Sequence, residues 1–190
     1  MQKSAFALFI LTSAAVLPSA LIAPVAAGPA LADEAELAGQ DTQFLAKAIV
    51  SGLGEVELSQ VAAQKASQPQ VKQFAERMVK NHMAVNDKLM NEAQRHKIKT
   101  TGTKGTPPLE PNQKAQMTKE QLEGLSGDKL DKAYMQRMIQ DHVQAVALFQ
   151  DEAKNGKDKP LRDFATDTLP ALQDHLKQAR EIGGQVGVEG

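Results

Sequence analysis

The chain has 190 residues, 42% of them hydrophobic but only 4% aromatic, with 22 basic residues against 23 acidic ones and no cysteine. That near-neutral balance gives no basic footprint for nucleic acid or anionic lipid, and a single tyrosine with no tryptophan leaves no stacking platform for bases or sugars. Without cysteine, neither disulfide stapling nor lipid attachment through an N-terminal cysteine is open to the chain.

The first element is an N-terminal leader. One early base, Lys3, precedes an apolar run from Ala5 to Leu17, then Pro18, Pro24 and small residues. The run is shorter than the roughly 20 residues a bilayer requires, so it reads as a secretory signal peptide and not a membrane span. Small residues allow cleavage after Ala27 or after Ala32; the second is preferred, leaving residues 33–190 with Asp33 first. The remaining 158 residues carry a net charge of −2 and make one domain. At that size about 68–70% of the unfolded surface can be buried, enough without a staple. The expected location is the periplasm, with outer-membrane association left open and no transmembrane segment in the mature chain.

After a tail over 33–40, four stretches show helical periodicity and none shows strand alternation, so the fold class is all-α. The first helix is expected from Asp41, as N-cap, to Ala66. The second runs from Gln68 to Lys97, opened by a capping box in which Ser67 caps and Gln70 answers. The third runs from Asp128 to Lys154. The fourth runs from Pro160 to Ile182, stopping at Gly183-Gly184 and bent by Pro170. Residues 98–127 are too long for a hairpin and suit a crossover that sends helices two and three in the same direction. The domain is therefore a four-helix unit over 41–182, with a C-terminal tail over 183–190. A faint repeat places Phe74–Ala93 on Tyr134–Ala153, and a second echo links PQVKQFA at 69 with PLRDFA at 160.

Apolar stripes on helices two, three and four run through His82, His142 and His175, whereas His96 lies at the ragged end of helix two. At about 1.5 Å per residue, these three histidines fall near mid-height, together with Glu55 and Glu57 on helix one. Imidazoles crowded into an apolar core need partners. Three of them with one carboxylate would make a four-ligand site for zinc, copper or iron. Glu55 and Glu57 flank the stripe of helix one at opposite borders, so periodicity does not choose between them. Asn81, Asp141 and Asp174 each precede a core histidine and are candidates to orient a ring on a neighbouring helix. Met78 and Met138, one turn before two of the histidines, would suit a soft ion. Gly52 and Gly54 would permit close helix approach.

The stretches GLGEVELSQVAAQKASQPQVKQFAERMVKNH, LDKAYMQRMIQDHVQAVALFQDEA and LRDFATDTLPALQDHL, following a signal sequence, resemble the exported bacterial family called domain of unknown function 4142. The resemblance implies a ferritin-like antiparallel four-helix bundle, labelled as an outer-membrane or periplasmic protein, with no established activity. Di-iron members of that superfamily carry glutamate three residues before the histidines of helices two and four. Here those positions are Val79 and Leu172, and position 139, before His142, is Ile, which speaks against di-iron chemistry. No nucleophile elbow, phosphate loop or dinucleotide fingerprint is present, so no enzyme is expected. Two readings follow: a module holding one transition-metal ion, and a structural or interaction module of the envelope with a buried His/Glu network and a protein partner.

Overall fold

Four helices of 27 to 29 residues dominate the structure: α1 (Gly39–Lys65), α2 (Pro69–Arg95), α3 (Gly127–Asn155) and α4 (Lys159–Gln185). The computed structural model describes residue 37, residues 39–98 and residues 119–188; among them there is no strand, and a short helical turn over 119–123 precedes α3. The expected leader, both cleavage sites and the Gly/Pro-rich part of the crossover lie outside the described residues. Two boundaries shift from the sequence reading. Helix α1 already includes Gly39 and Gln40, and α4 continues through Gly183 and Gly184 to Gln185.

The helix caps also differ from expectation. Asp41 does not cap its own helix: it is buried inside the first turn of α1, where its carboxylate accepts the backbone N–H of Lys157 (2.8 Å) and of Asp158 (3.2 Å) in the α3–α4 turn. Nor does the Ser67/Gln70 capping box form. The N-cap is Gln68 without a side-chain cap, and Asp131 of α3 accepts the backbone N–H of Ser67 (3.1 Å), the Ser67 hydroxyl and the backbone N–H of Gln68 (2.8 Å). Each hairpin thus has its turn held by a carboxylate from the other, because helix starts expose orphan N–H groups that any well-placed acceptor can satisfy.

These clamps disclose the true internal repeat. Residue 41 stands to the 157–158 turn as residue 131 does to the 67–68 turn, a shift of 90. The same shift carries α2 (69–95) onto α4 (159–185). It also carries left-handed Lys97 (φ 55°) onto Gly187 (φ 79°). The repeating unit is therefore a helical hairpin, α1–α2 against α3–α4. The likeness between 74–93 and 134–153 comes from two amphipathic helices that share a depth, not from the repeat.

Contacts between the hairpins set the helix directions. Ser59 meets Tyr134 with hydroxyls 2.8 Å apart, and Phe44 meets Phe149 edge-on with ring centroids 5.0 Å apart. Position falls along α1 as it rises along α3, so these two helices run antiparallel. The short turns within each hairpin then give α2 and α3 the same direction.

The core has two apolar clusters. One gathers Leu58, Phe74, Met78, Leu130, Tyr134 and Met138; the other gathers Phe44, Leu45, Ile49, Leu89, Phe149 and Leu161. Burying each such side chain contributes about 1.5–3 kcal/mol, so these layers carry the stability. Between them, on every helix, the buried face turns polar: Glu55 on α1, His82 and Asn86 on α2, His142 on α3, His175 on α4. A buried polar group without a partner is costly, which makes this middle layer the place to look for function.

Candidate metal centre

Helical spacing brings the layer together. Met78, His82 and Leu89 lie along one face of α2, Met138, His142 and Ala145 along one face of α3, and Leu172, His175 and Ala179 along one face of α4. The three imidazoles form a near-equilateral triangle, with ring centroids 5.4, 5.6 and 5.4 Å apart. His142 is 0% exposed and His82 and His175 are each 5% exposed. One ring nitrogen from each histidine lies within 4.8 Å of the others, and no other such group of three ligands occurs among the described residues. An ion held at about 2.0–2.1 Å from each nitrogen would need nitrogens roughly 3.3–3.6 Å apart, so the rings would have to draw together to share one ion.

Every ring has one nitrogen tied to the protein and one without a partner. His82 Nδ1 lies 2.9 Å from the Glu55 carboxylate. His142 Nδ1 lies 2.9 Å from the carbonyl oxygen of Met138, to which it donates. His175 Nε2 lies 3.0 Å from the Asn81 amide nitrogen. The opposite atoms, His82 Nε2, His142 Nε2 and His175 Nδ1, are buried and make no hydrogen bond. Anchoring one nitrogen fixes the ring plane and leaves the other free for a ligand, the arrangement that metal-binding histidines adopt.

Electrostatics within the layer are balanced. Burial by itself would raise the Glu55 carboxyl, but the charge and hydrogen bond of His82 overcome it and bring the group down to about 2. Burial likewise works against the His82 imidazolium, and Glu55 outweighs it, so His82 is raised. Burial, reinforced by His82 and His142, lowers His175 to about 4. At neutral pH the layer therefore holds an ionised Glu55 beside His82 and an uncharged His175.

The remaining sequence candidates separate. Glu55 faces the core, where it holds His82 Nδ1 and not a free ligand position of its own. Glu57 is turned away: it is half-buried, with its carboxylate 4.0 Å from the Lys119 ammonium. Asn81 contacts an imidazole on a neighbouring helix, as expected. Asp141 instead pairs with Arg137 one turn back at 2.5 Å, and exposed Asp174 accepts from Gln178. Both lie at the border of the buried face, where a local partner one turn away is nearer than a ring across the bundle. Met78 and Met138 are fully buried core residues, and Met138 serves His142 through its backbone.

One member of the layer escaped sequence reasoning. Asn86 is 3% exposed, and neither its amide nitrogen nor its oxygen has a partner. A Cβ at Gly52 would come within 2.2 Å of the Asn86 oxygen, so the glycine makes room for this side chain. The signal lay in that glycine, whose freedom from a side chain permits close approach by a neighbour.

A family model described as a domain of unknown function, DUF4142, matches residues 26–182, most of the chain. The chain belongs to the DUF4142 family. Among solved structures it is similar to a DUF305 protein from Streptomyces coelicolor, described as a candidate secreted protein. That likeness has 12% identity and a TM-score of 0.66, covering 79% of this chain and 95% of that one. It is also similar to a DUF305 fragment from Deinococcus radiodurans, with 14% identity and a TM-score of 0.65, over 78% of this chain and 98% of that one. At such identities the likeness concerns the all-helical fold alone. No curated protein matches.

Proposed function

We propose that this DUF4142 protein is an exported, non-catalytic bundle of ferritin-like topology that binds one transition-metal ion through His82, His142 and His175. The observation that carries the reading is the set of three buried ring nitrogens without partners, one from each of three helices, each opposite an anchored nitrogen. Three nitrogen ligands with a fourth position open suit zinc, copper or iron. Glu55 stands behind His82 and supplies negative charge to a buried cation. Val79, Ile139 and Leu172 supply no carboxylates for a second hard ion, so the site takes one ion and not a pair. Export is supported by the leader composition and by the description of the Streptomyces neighbour as secreted; the periplasm is the destination we propose. Among the described residues no helix is long and apolar enough to cross a membrane.

Elemental analysis of protein purified without a histidine tag or chelator tests this: near-stoichiometric zinc, copper or iron is expected. Adding the ion to stripped protein should raise the melting temperature, since a ligand confined to the folded state stabilises it. His142→Leu should abolish both effects while leaving a folded helical protein. No metal and an unmoved melt would favour the second reading, a structural or interaction module docking an envelope partner. That reading draws on the contact between Glu55 and His82 Nδ1, which satisfies part of the layer without an ion.

A further inference from the structure

One ion at the three rings does not satisfy the whole layer. Asn86, one turn beyond His82 on α2, is 3% exposed, and neither its Nδ2 nor its Oδ1 has a hydrogen-bond partner. A buried amide in that state is costly, and native cores satisfy nearly all such groups. At its level the other helices offer no polar side chain. Gly52 faces it from α1, and the buried positions of α3 and α4 there are Ala145 and Leu172, three residues from His142 and His175 toward the same end. Beyond it lie Ile49 and Leu89 of an apolar cluster. The buried polar side chains nearest to Asn86 along the helices are those of the layer itself, Glu55, His82, His142 and His175.

Two features turn the amide toward that layer. A helical side chain leans toward the N-terminus of its helix, so Asn86 leans toward His82 and away from Leu89. The α1–α2 interface agrees, for Glu55 meets His82 and Gly52 meets Asn86 in adjacent turns of the same seam. A Cβ at Gly52 would stand 2.2 Å from Asn86 Oδ1 and 3.1 Å from Nδ2, so the amide fills space that only glycine leaves there.

An ion held by three ring nitrogens has a fourth position to fill, and Asn86 has a donor and an acceptor without partners. One water molecule answers both needs. Its hydrogens can be given to an amide oxygen and its second lone pair can accept from an amide N–H, so either end of the amide serves. Buried waters with two or more polar partners are regular parts of folded proteins.

We infer that Asn86 is a positioning residue that holds a water molecule at the fourth position of the ion, and that Gly52 makes room for it. The inference rests on the ion-binding reading above. In the metal-free protein the amide is unsatisfied, so an apolar side chain of similar size in its place does not weaken the fold.

The test uses the mature protein. Copper(II) loading in D2O, with deuterium modulation of the electron spin echo, detects a solvent ligand, and competition with a chromophoric chelator gives zinc affinity. Wild-type protein should show a coordinated solvent molecule. Asn86→Leu should lose it and bind zinc roughly 10–100-fold more weakly, the usual cost of removing a group that supports a ligand. Its metal-free form should melt no lower than metal-free wild type. Gly52→Ala keeps residue 86 but pushes its amide aside, so it should reproduce both losses, and it carries the test should Asn86→Leu fail to fold. An unchanged solvent signal or zinc affinity in either folded variant, or no solvent ligand in wild type, overturns the role of Asn86 while leaving the metal site standing. A metal-free Asn86→Leu that melts well below wild type also overturns it, since the amide would then belong to the packing. Failure of wild type to bind zinc, copper or iron overturns the metal reading and this inference together.

Discussion

At the α1–α2 turn, Asp131 receives three hydrogen bonds and the surroundings are apolar: Ala62 is fully buried, and Val186 and Val188 pack against the cluster. At the α3–α4 turn, Asp41 receives two, and the positions related by the 90-residue shift carry Glu152 for Ala62 and His96 for Val186. Glu152 is 1% exposed, and neither of its oxygens has a hydrogen-bond donor. Burial, with Asp41, Asp158 and Asp151 nearby, pushes its carboxyl up to about 7. His96 Nε2 lies 3.8 Å from Asp158, a partner too far for a hydrogen bond. One backbone plan thus gives a satisfied, insulated end and a titratable end. The comparison teaches that the clamp belongs to the fold, and that sensitivity to pH is added by what surrounds it.

The comparison is broken most severely at Asp131. Hydrogen bonds to a charged group contribute about 1.5–3 kcal/mol each, less their mutual dependence. Asp131→Ala should therefore cost about 3–5 kcal/mol in urea unfolding. Asp41→Ala should cost about half as much, because it also relieves the repulsion on Glu152. Equal losses would mean that the two ends are equivalent after all.

The acid at 152 gives the next effect. Its folded-state pKa is raised above the ordinary 4.5, so its contribution is fully present below about 4.5 and lost as pH rises through about 7. Wild-type stability should fall between pH 5 and pH 8, and Glu152→Ala, which installs the residue found at 62, should flatten that fall. An unchanged slope in the variant would assign the pH dependence elsewhere, the Glu55–His82 pair being next in line.

The smallest effect is expected at the helix ends. Lys97 sits in the left-handed region at φ 55°, and its counterpart Gly187 sits at φ 79°. Glycine occupies that conformation without the penalty a side chain carries. Lys97→Gly should stabilise by roughly 0.5–1 kcal/mol and Gly187→Ala should destabilise by about 1 kcal/mol, both read from the urea midpoint. Shifts of the same sign would show that the two ends do not share a cap geometry.

Much of the candidate site was legible in the sequence, since helical period is a local property. Steps of three and four along each segment put His82, His142 and His175 on buried faces, and counting rise per residue put them at one depth. Periodicity could not choose between Glu55 and Glu57, because both stood at the border of a stripe and only the rotation of α1 against α2 turns one inward. Nor could it tell Asn81 from Asp141 and Asp174. Each precedes a core histidine by one residue, but a partner across the bundle depends on how the helices are set around it.

The sequence by itself determined that the described chain is helical, where the helices run, and which face of each is buried, because these follow from side-chain spacing along a rod of 3.6 residues per turn. Tertiary structure alone decided that Asp41 and Asp131 each clamp the turn of the other hairpin, that Glu152 is buried near Asp41, and that His82, His142 and His175 each have one nitrogen anchored and one without a partner. Those outcomes depend on distances between residues tens of positions apart, which no local pattern encodes, and on the rule that a buried polar atom takes whatever partner the packing brings to it.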